Sequence, residues 1–198
     1  MKRFLTFALP LLLIICSYHK VSAQVKNYYN IPGELTFDSL QYKLSASYHP
    51  NDNYYKQEYI PSGESADHFK KMVTIDFVVA DVKAKDLVTA KIKELQQRKK
   101  SDPVVQTDLM SNAERDEYIL DFILSEQAGG KLTIVERNVY RYKNYTDSTG
   151  HKGVLLFAVS QRGYGDDIVS FFGNLKKNRV NDINKVAKYD MPNVQIQN

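Results

Sequence analysis

Gly153-Val154-Leu155-Leu156-Phe157-Ala158-Val159-Ser160-Gln161-Arg162 reads as a strand, because an unbroken apolar run of this length with no helical spacing suits the interior of a sheet. Gly163-Tyr164-Gly165 then turns the chain. Asp166 or Asp167 is placed to cap a helix running to about Ala187, with Ile168, Phe171, Phe172, Leu175, Ile183 and Val186 recurring at helical spacing. Working back, Leu132–Tyr142 is a further strand. It is joined by the Gln127-Ala128-Gly129-Gly130 turn to another over Arg115–Ser125. There Tyr118, Leu120, Phe122 and Leu124 share one face, and Ile119 and Ile123 the other, so both faces are expected to be covered.

The first half repeats the order. Leu40, Tyr42, Leu44, Ala46 and Tyr48 alternate with polar residues, Pro50-Asn51-Asp52-Asn53 turns, and Tyr54–Ile60 returns as the second arm of a hairpin. Pro61-Ser62-Gly63-Glu64 ends that arm, and Ser65 is placed to start one helical turn. Met72–Val79 is a central strand. Asp81 then caps an amphipathic helix over Val82–Lys99, which Asp102-Pro103 stops. Runs of hairpin-linked strands with two helices predict one α+β domain over residues 34–190 with a mainly antiparallel sheet flanked by the two helices. A flexible lead-in over 24–33 and a loose tail over 191–198 are expected around it.

Residues 1–23 read differently. Lys2 and Arg3 precede an apolar run from Phe4 to Cys16, and Val21-Ser22-Ala23 offers small residues for cleavage, so the segment is expected to be a secretory signal peptide. The run is too short to span a bilayer comfortably, which needs roughly 20 apolar residues. Cleavage after Ala23 removes Lys2, Arg3 and Lys20, so the formal charge of +4 falls to about +1 and gives no support for nucleic-acid binding. It also removes Cys16, the single cysteine, leaving neither a disulfide nor a thiol nucleophile. Acylation of Cys16 as a lipoprotein is the alternative processing. Export, periplasmic or extracellular, is the expectation, with no transmembrane span after cleavage.

Gln57-Glu58-Tyr59-Ile60-Pro61-Ser62-Gly63-Glu64, followed by Met72-Val73-Thr74, resembles small exported bacterial proteins of unassigned function. The long strand into Arg162-Gly163-Tyr164-Gly165 and the helix carrying Lys176-Lys177-Asn178-Arg179 fit the same set. Over roughly Gln41–Lys188 the element order is similar to PsbP-like domains, which implies an αβα sandwich and a role as a binding or assembly factor. The resemblance carries over no catalytic residues.

The chemistry-bearing residues point the same way. His49, His68 and His151 have no zinc spacing and no H-E-x-x-H occurs, although Glu64-Asp67-His68 could form a small oxygen–nitrogen site. Ser160 and Ser170 lie outside any G-x-S-x-G, so a hydrolase would need a Ser, His and acid assembled in space. Asp166-Asp167 reads better as helix-start charge than as a glycosidase pair, and acids after Gly163-Tyr164-Gly165 would repel a phosphate. Asn144-Tyr145-Thr146 is a glycosylation sequon. Tyrosines crowd the N-terminal third, and alternation puts Tyr55 and Tyr59 on one face of the hairpin and Tyr54 on the other. These three are the candidate binding residues for a protein or envelope partner, with no cofactor, no metal and no nucleic acid expected. A non-catalytic binding or assembly protein is the leading expectation, and the periplasmic hydrolase the alternative.

Overall fold

The computed structural model describes residues 25–197. The expected signal peptide, with Cys16, lies outside the described residues. Eight strands, β1 (Glu34–Phe37), β2 (Leu40–Asn51), β3 (Tyr54–Pro61), β4 (Lys71–Val79), β5 (Gln106–Asn112), β6 (Glu117–Ala128), β7 (Lys131–Thr146) and β8 (Lys152–Tyr164), form one sheet in the order β1-β2-β3-β4-β8-β7-β6-β5. Every neighbouring pair is antiparallel. Helix α1 (Ala84–Arg98) follows β4, and α2 (Ile168–Lys188) follows β8 after a 3-10 turn over Gly165–Asp167.

Two four-stranded meanders thus meet at the β4–β8 seam. The chain leaves β4, reaches the far edge at β5, and returns strand by strand to pair with β4. Helix α1 carries it across, which is why α1 lies on β6 and β7. Alternation in β8 separates two cores. Leu155, Phe157 and Val159 join Val73, Ile75, Phe77, Val139 and Val186 on the α2 side. Val154, Leu156 and Ala158 join Val88, Leu95, Leu120 and Phe122 on the α1 side.

The αβα sandwich does not form. Strand makes up 48% of the described residues and helix 23%, and neither helix makes a layer. Helix α1 lies on β6 and β7 and α2 mainly on β6, β7 and β8, so only the C-terminal part of α2 reaches the β1–β4 half, where Lys185 pairs with Asp38 and Val186 joins the core. On one face of that half the chain ends take the place of a helix. Tyr29, Ile31, Met191, Val194 and Ile196 are buried there, and Tyr29 bridges Ile196. The lead-in and tail, expected to be loose, are therefore docked: Asn30 N–H donates to Gln195 O at 2.9 Å and Gln197 N–H to Tyr28 O at 2.9 Å. Their sequences are too short and polar to show periodicity, but the sheet half they cover would otherwise expose its apolar side.

Smaller departures have local causes. The edge strand β5 was hidden because Gln-Thr-Asp-Leu-Met-Ser-Asn is polar and almost wholly exposed. Helix α1 starts at Ala84, not after Asp81. Asp86 Oδ2 accepts the Lys83 N–H at 3.1 Å, and Asn144 Oδ1, reaching in from β7, accepts the Ala84 N–H at 2.9 Å.

Candidate functional site

The hairpin tyrosines separate. Tyr59 is 0% exposed in the α2-side core, with its hydroxyl donating to Gln57 Oε1 at 2.8 Å, so it offers no surface to a partner. Tyr55 is half-buried on that same face and stacks on His49 with ring centroids 4.0 Å apart. Tyr54 lies on the opposite face and donates to Asp76 Oδ2 at 2.9 Å. The alternation expected for the hairpin holds, and it keeps the three from forming one patch.

The histidines and serines do not assemble a nucleophile. His151 is 2.9 Å from both Asp147 and Thr149, but both approach Nδ1, whereas a catalytic triad needs acid and hydroxyl on opposite ring nitrogens. Asp147 also accepts the backbone N–H groups of Thr149, His151 and Ile196, so the group ties a loop to the C-terminal tail. These bonds hold the Asp147 carboxyl well below the usual carboxylate range despite its burial. Ser160 Oγ donates to Asn138 Oδ1 at 2.6 Å, and Ser170 Oγ to the Asp167 carbonyl at 2.8 Å. His68 stacks on Tyr164, and Glu64 accepts the N–H groups of Lys70 and Lys71. Among the described residues no group of three or more His, Cys, Asp or Glu is placed to hold a metal. Asn144 of the sequon is engaged at both ends, capping α1 and donating to Asp116.

Asp76 stands out electrostatically. It is 9% exposed, and its Oδ1 is buried without a hydrogen-bond partner among the described residues. Burial pushes its carboxyl up to about 6, against the pull of the Lys56 ammonium and the Tyr54 hydroxyl. With Oδ1 buried and unpaired, Asp76 is an unsatisfied polar node in the sheet.

Three cavities lie along α2. Antiparallel register aligns Lys71 on β4, Gln161 on β8 and Arg137 on β7 in one row across the sheet. Odd-numbered β7 side chains face α2, so Arg137 and Arg141 point into it. Arg137, 1% exposed, donates to Asp121 at 2.8 Å, to Asp182 at 2.8 Å and to the Arg179 carbonyl at 3.0 Å. Arg141 binds Glu117 and donates to the Tyr189 and Val186 carbonyls at the end of α2, where a cation complements the helix dipole. Gly163 lets the helix come down at its other end. A Cβ there would lie 2.8 Å from the Phe171 Cβ.

These long polar side chains hold α2 over the sheet with open space beside it. A cleft of about 400 Å³ runs between α2 and the β4–β8 floor, within the range of small-molecule sites. Its wall is Asn174, Asn178 and Asn181 of α2, and its floor Lys71 and Gln161. None of these five side chains has a hydrogen-bond partner among the described residues; the three asparagines are exposed and the floor pair half-buried. Asparagine is a poor helix former, at up to about 0.7 kcal/mol per residue relative to alanine, so a stripe of three costs helix stability. Sharing Asp38, Lys71, Gln161, Asp182 and Lys185, the cleft narrows into a slot lined by Phe37, Val139, Val159 and Tyr42. Tyr42 is 1% exposed and its hydroxyl is likewise unpartnered; burial, with Asp38 and Glu64 nearby, raises its ionisation well above the usual tyrosine value.

A protein-family model matches residues 29–191, a span that holds every described strand and helix and every residue of the cleft. The chain belongs to that family. No curated protein and no solved structure matches the chain. Among the described residues no helix is long and apolar enough to cross a membrane.

The sequence carried one signal for this region: Arg137 and Arg141 recur with period two alongside Val135 and Val139 in a strand that must sit inside the sheet, so their charges need partners on an overlying element. The asparagine stripe, by contrast, looks like ordinary helix surface until the register of β4 and β8 puts Lys71 and Gln161 opposite it.

Proposed function

We propose that the protein is an exported, non-catalytic binding protein of the bacterial cell envelope, and that it takes its ligand in the cleft beneath α2. The observation that carries this is the convergence of five hydrogen-bonding side chains, the half-buried Lys71 and Gln161 of the floor and the exposed Asn174, Asn178 and Asn181 of the wall, on one cleft that narrows toward Tyr42. The leader-like residues 1–23 support export, and the arrangement of Asp147, Thr149 and His151 around one nitrogen gives the hydrolase no support. The binding surface moves from Tyr54, Tyr55 and Tyr59 to the cleft, because Tyr59 lies in the core.

Hydrogen exchange of the purified protein, with and without fractionated envelope extract, tests this. Protection is expected over Lys70–Met72 and Asn174–Lys185. Protection confined to the Tyr48–Tyr59 hairpin would move the site there, and no protection anywhere would sink the binding reading.

A further inference from the structure

We infer that the ligand is a saccharide with a hydroxyl-rich, neutral body and a single carboxylate; this rests on the cleft being the binding site. A carboxamide both donates and accepts, as a sugar hydroxyl does, so the amides of Gln161, Asn174, Asn178 and Asn181 match a polyol better than they match a purely anionic or cationic group. Phe171 at the rim offers a ring for the apolar face of a sugar.

The charges limit the rest. Asp38 is paired with Lys185 at 2.8 Å, Asp182 with Arg137 at 2.8 Å, and Arg162 with Glu136, so these charges are matched within the protein. Lys70 pairs with Asp167 at 3.5 Å. Lys71 has no acidic partner within 4.0 Å among the described residues, and it sits beside Gln161 on the floor. One free ammonium in a cleft whose other charges are matched fits one carboxylate on the ligand.

Amide-resolved NMR titration separates the possibilities, using three probes: a disaccharide with one glucuronate unit, its neutral glucose counterpart, and glutarate, which has carboxylates and no hydroxyls. The glucuronate disaccharide is expected to shift the signals of Lys71, Gln161 and Asn178–Asp182, and to bind about tenfold tighter than the neutral sugar, the usual worth of a charged hydrogen bond. Lys71→Gln should remove that preference and leave neutral-sugar binding intact. Asn178→Ala with Asn181→Ala should weaken both sugars about tenfold. The thermal midpoint should hold or rise, because both changes favour the helix, so lost binding cannot be put down to lost fold. Tyr42→Phe should weaken binding without altering the slot's apolar packing. A response to glutarate with none to the sugars overturns the saccharide class and leaves the site. Sugar shifts lying outside the cleft, or no shift from any probe, overturn the inference; envelope-extract protection of the cleft in that event would still uphold the binding site itself.

Discussion

Helix α1 lies on β6 and β7 through Ala84, Val88 and Leu95, all buried against Leu120, Phe122, Tyr142 and Leu156, whereas α2, on the other side of the same sheet, fully buries only Ile168 and Val186 along its 21 residues, half-buries Phe171, Phe172, Leu175 and Ile183, and is tied down by charge as well. Arg137, Arg141 and Arg179 reach between it and Asp121, Asp182 and Glu117. Apolar side chains draw α1 to contact distance, where dispersion rewards close fit. Guanidinium arms tie α2 to the sheet, and open space lies along both of its flanks, a hollow beside Phe172 and Leu175 and the amide-lined cleft opposite. A helix strapped by ion pairs can roof a binding site, and one sealed by leucines cannot. The outward Val180, 71% exposed, is consistent with a helix whose position owes little to apolar burial.

The hardest test of this contrast is to cut each attachment. Arg137→Ala leaves the buried Asp121 with Arg179 as its remaining partner and should destabilise by about 3–5 kcal/mol in urea denaturation. Replacing the pair together, Arg137→Met with Asp121→Leu, should recover most of that loss, since a buried ion pair and an apolar pair of similar volume often differ little. On α1, Leu95→Ala should cost about 2–4 kcal/mol through lost burial and a residual cavity, with no partner substitution able to restore it. If Arg137→Ala is nearly neutral, α2 is held by something other than the arginine seam and the contrast fails.

Asp76 sharpens the comparison from the β1–β4 half of the sheet. Its folded-state ionisation sits at about 6 rather than 3.8, so its charged form opposes folding. As pH rises from about 4 to 6, the unfolded chain ionises first and the folded state loses up to about 3 kcal/mol from this group. Asp76→Asn, which keeps an acceptor for Tyr54, should therefore stabilise by about 1–3 kcal/mol at pH 7 and do little at pH 4. Asp102 and Asp147 have the opposite sense: both are held low in the fold and lose stability only below the ordinary carboxylate range. The difference between variant and parent across pH isolates Asp76. A constant difference would mean the carboxyl is not the titrating group.

How much of this was legible follows from where periodicity operates. The strands of β2, β3, β4, β6, β7 and β8 and both helices were readable, because each buries at least one face and so must alternate or repeat. Strand β5 was not, since an edge strand needs few apolar residues, and neither was the docking of the chain ends, since Tyr29 and Ile196 pair across nearly the whole sequence. The sandwich expectation failed for a related reason. An amphipathic pattern says that a helix has a face to bury but not how many strands it will cover. The cleft depends on register between β4 and β8, which only the assembled sheet supplies.

Asn144 marks the smallest and most local contrast between the helices. Helix α2 is closed at its C-terminus by Arg141, and α1 is opened at its N-terminus by Asn144, so one strand, β7, supplies the terminal partner of both from opposite faces. Asn144 accepts the Ala84 N–H through Oδ1 and donates through Nδ2 to Asp116. Loss of an N-terminal cap is worth about 1 kcal/mol, and Asn144→Ala should cost that much, fraying the first turn of α1 in hydrogen exchange while leaving α2 protected. Asn144→Asp should be nearly silent at the cap, because a carboxylate also accepts the Ala84 N–H, but should meet repulsion from Asp116. Equal fraying of both helices would show that β7 couples them into one unit, and the two faces would then not be independent in the way their chemistry implies.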